Sequence, residues 1–152
     1  MMLLKQFLVW IGIKERLHTR DIKPPFFKEG EMWWAHIGEN VGSEVDGKGD
    51  NFTRPVVVFR KLGAATLLAI PTSTQQKSGT WYVPFRHKGI DEIALLAQTR
   101  VISFKRLKNK IGQLDEPDMR RIRDGFRALY CNPQTWTPAL RRGRGKIPNV
   151  RS

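Results

Sequence analysis

The chain has 152 residues, enough for one domain with its own core and short appendages. Its 27 Lys and Arg against 14 Asp and Glu give a net charge of +13, which points to a polyanionic partner such as nucleic acid or an acidic protein. One cysteine, Cys131, excludes an internal disulfide and a cysteine zinc cluster, and His18, His36 and His87 lack ligand spacing, so no metal or other cofactor is expected and a cytoplasmic location fits.

In chain order, residues 1–28 read as a helical extension and linker. Leu3, Leu4, Phe7, Leu8, Ile11 and Leu17 recur partly at helical spacing over Met1 to Arg20, and Pro24-Pro25-Phe26-Phe27 marks the linker. The apolar run from Phe7 to Ile13 is far below the roughly 20 residues of a membrane span, so packing on the domain is expected, with surface attachment through Phe7, Trp10 and Ile11 as the lesser possibility. Residues 29–131 carry the globular pattern. Gly30 to Ile37 is its first strand, on which Trp33 and Trp34 must point to opposite faces, one toward the core and one toward a groove. A long Gly-, Asp- and Asn-rich loop, Gly38 to Asn51, then delivers Glu44, Asp46 and Lys48 just ahead of Arg54.

Thr53 to Phe59 and Ala65 to Ile70 form a hairpin across Leu62-Gly63-Ala64, and Pro55 places Arg54 at its mouth. The second strand is expected to stop at Pro71 and lead into Thr72-Ser73-Thr74-Gln75-Gln76. A guanidinium beside hydroxyls is a phosphate site. Strands are expected at Gly79 to Arg86, at Ile93 to Gln98 and at Ile111 to Leu114, with strand or turn from Thr99 to Phe104. Asp115 and Pro117 open a helix whose Met119, Ile122, Phe126 and Leu129 form the core-facing stripe. Residues 132–152, rich in Arg and Gly, are expected to be a disordered basic tail. The pattern is mainly β with α, a small bent sheet or partly open barrel closed by a helix.

These residues resemble the PemK/MazF family of toxins from type II toxin–antitoxin pairs. The shared pattern is Gly30-Glu31-Met32-Trp33-Trp34, Gly42-Ser43-Glu44, Arg54-Pro55-Val56, Pro71-Thr72-Ser73, Gln98-Thr99-Arg100 and Leu107 to Gly112, followed by a helix. The resemblance covers about residues 29 to 130. It implies an SH3-like barrel, a homodimer, and a metal-independent endoribonuclease acting on single-stranded RNA such as mRNA. An antitoxin with an acidic and apolar C-terminal segment would neutralise it. The family's catalytic arginine falls on Arg54 and its hydroxyl on Thr72 or Ser73, while Ser43, Glu44 and Gln98 match RNA-site positions. Some members carry an acid and a further arginine where this chain has Leu95 and Ala97, so a mechanism using that acid is not available here.

Such cleavage must deprotonate a 2′-hydroxyl, neutralise charge on the phosphorus and protonate the departing 5′-oxygen, leaving a 2′,3′-cyclic phosphate and a 5′-hydroxyl. Arg54 suits the second task. Glu44 is the candidate for proton transfer, because arginine and hydroxyls are poor bases. Lys48, Arg86 and His87 are candidate phosphate contacts, and Trp81, Tyr82 or Trp34 could stack on bases or simply pack. His36 reads as structural. Two other classes stay open: the same barrel as a non-catalytic binding module, and a gyrase-directed toxin.

Overall fold

β-Branched and aromatic runs separated by glycine turns make this chain a sheet former, and the computed structural model, which describes residues 5–131, folds accordingly. Its elements are α1 (Phe7–Thr19), β1 (Glu31–His36), β2 (Thr53–Lys61), β3 (Thr66–Ser73), β4 (Tyr82–His87), β5 (Ile90–Leu95), β6 (Arg100–Ser103), β7 (Leu107–Gln113) and α2 (Glu116–Tyr130). Short 3-10 turns, Leu96–Gln98 and Phe104–Arg106, flank β6. The seven strands run in the order β4-β5-β3-β2-β1-β7, with β6 also on β3; every pairing is antiparallel and the sheet does not close. This is the open, barrel-like sheet with two helices that the pattern implies.

Strands β1 to β3 are buried on both faces. One core gathers Trp33, Val56, Val58, Leu67 and Ile102; the other gathers Met32, Val57, Ile70, Phe85 and Leu96 under Met119 and Ile122 of α2. Asp115 caps α2 by accepting from the Asp118 amide at 2.9 Å, with Pro117 in the first turn. Phe126 stacks on Phe59 at 4.6 Å between ring centroids, which ties α2 to β2.

Several boundaries differ from the sequence reading. β3 does not stop at Pro71 but runs to Ser73, because Pro71 falls between the β6 ladder (Thr66 to Ala69) and the β5 ladder (Thr72, Ser73), where a missing donor loses no bond on that side. Ile93 to Gln98 is not one strand: β5 ends at Leu95 and the chain turns into a 3-10 helix. The last strand begins at Leu107, so the cationic Lys108 and Lys110 lie within the sheet edge. Trp81 precedes β4.

Helix α1 packs through a face other than the one its apolar residues suggest. Trp10, Ile13 and Leu17 are buried with Phe52, while Phe7, Leu8 and Ile11 are exposed. Trp10 lies 5.8 Å from the Phe52 ring and directly on Gly38, whose φ of +91° and lack of a Cβ permit the contact. With Trp10 sealed against the domain, it is not available for surface attachment. Leu3, Leu4 and the basic tail lie outside the described residues. No helix among the described residues is long and apolar enough to cross a membrane.

Candidate active site

Antiparallel pairing of β2 with β1 and β3 puts Arg54 beside Ala35 on one side and within reach of the end of β3 on the other. Its guanidinium is buried and fixed by two backbone acceptors. Nε donates to the Asp46 carbonyl at 2.8 Å and Nη1 to the Thr72 carbonyl at 3.1 Å. Nη2 has no partner among the described residues. Burial eases the guanidinium below its usual value and the Asp46 carboxylate pushes it back, so the group stays cationic.

Arg54 and Thr72 share a cavity of about 540 Å³ with Ser73, Trp34, Lys48, His87 and Glu92. Trp33 is buried in the core and Trp34 is 38% exposed at this cavity, the division that strand alternation predicts. The Ser73 hydroxyl oxygen accepts from the Gln75 amide at 3.1 Å, which leaves its proton free to donate. Thr72 is fully buried, and its hydroxyl donates to Glu92 Oε2 at 2.8 Å.

Glu92 is the residue that sequence reasoning missed. It is 8% exposed and, among the described residues, it is the one carboxylate on the cavity wall and its Oε1 has no partner. The signal for it is a register, not a motif. Thr72 pairs with Ala94, and Glu92, two residues along β5, shares Ala94's face and so lies diagonally across from Thr72. Thr72 thus holds a cation through its carbonyl and an anion through its hydroxyl.

Other expected site residues lie elsewhere. Glu44 is exposed and accepts from the Val41 amide at 3.0 Å; it lines a separate crevice with Gln98 and Arg100, away from the wall formed by Arg54 and Thr72. Gln98 is committed to the long loop, accepting from the Val45 amide at 3.0 Å and donating to the Ser43 carbonyl at 3.3 Å. Arg86 is exposed, with Nε 3.6 Å from Asp91. Trp81 is exposed outside the cavity, and its carbonyl accepts from the Leu96 amide. His87 lines the cavity, but its Nε2 is sealed against Gly112 without a hydrogen-bond partner. His36 is not in the cavity lining but pairs with Thr53 of its wall, and its Nδ1 lies 2.8 Å from the Asn51 carbonyl, a contact that makes Nδ1 the donor.

Two further supports come from the chain before β1, one from Lys5 ahead of α1 and one from α1 itself. Lys5 Nζ lies 3.0 Å from Asp46 Oδ2, and Asp46 Oδ1 accepts from the Asn40 amide at 2.6 Å, so Lys5 and the start of the loop converge on the residue whose carbonyl holds Arg54. Phe52, covered by Trp10, accepts from the amides of Ile37 and Gly38 and has a φ of +50°, two residues before Arg54. A bulky residue in the left-handed region is costly and needs such enclosure.

Comparison with known proteins bears on this site. A family model described as the PemK-like, MazF-like toxin of type II toxin–antitoxin systems matches residues 28–130. Among solved structures, MazF from Deinococcus radiodurans superposes with a TM-score of 0.58 at 17% identity, covering 74% of this chain and 100% of that one. A mycobacterial endoribonuclease in complex with its cognate antitoxin gives 0.55 at 11% identity, covering 69% and 95%. A MazE–MazF complex from Deinococcus radiodurans gives 0.51 at 16% identity, covering 72% and 96%. No curated protein matches. At these identities the superpositions establish the fold, whereas the family match spans well over half the chain: it belongs to the PemK-like, MazF-like toxins of type II toxin–antitoxin systems, a family known as antitoxin-bound endoribonucleases.

Proposed function

We propose that this protein is an endoribonuclease toxin that cleaves single-stranded RNA at the Arg54 cavity, leaving a 2′,3′-cyclic phosphate and a 5′-hydroxyl. The observation that carries the reading is a guanidinium with no salt-bridge partner among the described residues and a buried carboxylate, held on either side of Thr72. Arg54 Nη2 and the Ser73 hydroxyl donate to the phosphoryl oxygens as charge builds on phosphorus. Glu92 Oε1 accepts the 2′-hydroxyl proton as the 2′-oxygen attacks phosphorus. The bond from phosphorus to the 5′-oxygen breaks, and that oxygen takes a proton from water at the open side of the cavity. Thr72 orients both charged groups and, being sealed, does not itself touch RNA. Trp34 offers an exposed face for a base.

On this reading the protein works in the cytoplasm as a homodimer and needs no metal, and a cognate antitoxin with an acidic and apolar segment occludes the cavity. The test is incubation of the purified full chain with a pool of single-stranded RNAs in EDTA, comparing wild type with Arg54→Ala and Thr72→Val. Cleavage by wild type with cyclic-phosphate ends, lost in Arg54→Ala while the fold persists, is the expected result. RNA bound but never cut by a folded wild type would leave a binding module, and equal cutting by all three proteins would expose a contaminating nuclease.

A further inference from the structure

α1 and the Phe104–Arg106 turn enclose a second crevice, of about 180 Å³, lined by Lys14, Leu17, His18, Ser103, Lys105 and Arg106. Among the described residues no carboxylate lines it. Lys105 Nζ donates to the His18 carbonyl at 2.7 Å, which draws the ammonium to the helix end. Arg20 donates through Nη2 to the Lys105 carbonyl, and its Nε is buried with no partner. Arg106 donates to the His36 carbonyl at 2.9 Å with its guanidinium 5.5 Å from the Trp10 ring. Among the described residues none of Lys14, Arg20, Arg100, Lys105, Arg106 or Lys108 forms an ion pair, although the same chain forms six elsewhere. The crowding is felt by neighbours: beyond burial, which is the main cause, Lys108, Arg20 and Arg106 hold the His36 imidazole below its ordinary value, and Arg100 does the same to Arg106.

We propose that this crevice is a phosphate subsite for the RNA chain, occupied by the backbone of nucleotides flanking the one cut at Arg54. The inference rests on the ribonuclease reading for its ligand and on a different set of residues for its geometry. The end of β1 links the two sites. His36 shares a face of β1 with Trp34 about 7 Å away, it pairs with Thr53 on the cavity wall, and its carbonyl is the acceptor for Arg106. A line of cations leading from a scissile position suits a chain carrying one charge per nucleotide. An acidic peptide would need apolar pockets for its other side chains, and among the described residues Leu17 is the sole apolar one in the lining.

The test is equilibrium binding of a 2′-O-methyl oligonucleotide, which cannot be cut, to the full chain across a salt series. It compares wild type with a Lys14→Ala/Lys105→Ala/Lys108→Ala variant whose melting temperature and far-ultraviolet spectrum are checked. Each lost phosphate contact should lower the slope of log K against log salt by about 0.7, so the triple variant should lose about two in slope and bind a dodecanucleotide at least about tenfold more weakly at low salt. Dinucleotide binding should not change, since its single phosphodiester sits at Arg54 and leaves no phosphate for the second crevice. A dodecanucleotide slope identical in the two proteins overturns the proposal, as does loss of an acidic peptide's binding with RNA binding intact. Lys105→Glu is the second probe and should weaken the longer oligonucleotide further than Lys105→Ala. If the slope depends on these lysines but wild type cuts no RNA, the subsite stands and the cleavage reading fails.

Discussion

Glu92→Gln separates the chemistry of the cavity from its construction. The amide keeps an oxygen where Glu92 Oε2 now accepts from Thr72 at 2.8 Å, so the buried hydroxyl remains satisfied and β3 and β5 keep their register. What disappears is the ability of the other terminal atom to take a proton. Loss of a general base costs roughly 10²–10⁴ in rate, or about 2.7–5.5 kcal/mol of barrier at 1.36 kcal/mol per decade. Stability should move by less than about 1 kcal/mol, the scale of one exchanged neutral hydrogen bond. Glu92→Ala is the contrast. It strands the Thr72 hydroxyl with only the Pro55 carbonyl at 3.4 Å and should cost about 1–3 kcal/mol of fold as well. Cleavage of a fluorogenic single-stranded RNA, with kcat and KM resolved, is the assay, and thermal melting is its control. The glutamine variant should lose kcat with little change in KM, and combining it with Thr72→Val should cost less than the sum of the two. Wild-type kcat in Glu92→Gln would remove Glu92 from the reaction and the reasoning with it.

The remaining predictions concern the supports. Trp10 is 5% exposed against Phe52 and Gly38, so Trp10→Ala should weaken the docking of α1 by about 3–5 kcal/mol and lower cleavage, read by melting and by rate together. Gly38→Ala attacks the same joint from the other side, because a Cβ there would lie 2.2 Å from the Trp10 ring at a φ of +91°; a melting temperature below wild type is expected. Burial alone would raise the Glu31 carboxyl, but Lys110, the Lys28 amide and the Trp33 indole outweigh it and hold it below its ordinary value. A lowered folded value stabilises the protein above the unfolded glutamate range and is lost as pH falls through the folded value, so denaturant midpoints should drop on acidification in wild type and less steeply in Glu31→Gln.

Parts of this molecule were legible because their causes are local. Asp115 and Pro117 announce α2 and its cap, and Pro55 confines Arg54 to a strand start, where its cavity lies. Trp33 and Trp34 divide between core and cavity by alternation alone. Glu92 was not legible, since Ile90-Asp91-Glu92-Ile93 reads only as the polar entry to a buried strand until β5 is laid against β3. Glu44 comes shortly before Arg54 in the sequence, yet its carboxylate closes a turn onto Val41 and lines a separate crevice. The inward face of α1 was decided by Phe52, far along the chain, and a helix with apolar residues on most sides carries little periodic information about such a distant partner.

The pattern shared across the family begins at residue 28, but packing onto the domain begins earlier, at Trp10 against Phe52. A recombinant protein trimmed to residues 28–130 would uncover Phe52 and take away the ammonium beside Asp46. It would lose two outer braces of the loop and strand start that carry the Asp46 carbonyl and Arg54, while the Thr72 carbonyl stays in place. Silence from such a trimmed protein in an RNA assay, or in a growth-arrest screen, would report the missing braces and not the worth of the enzyme.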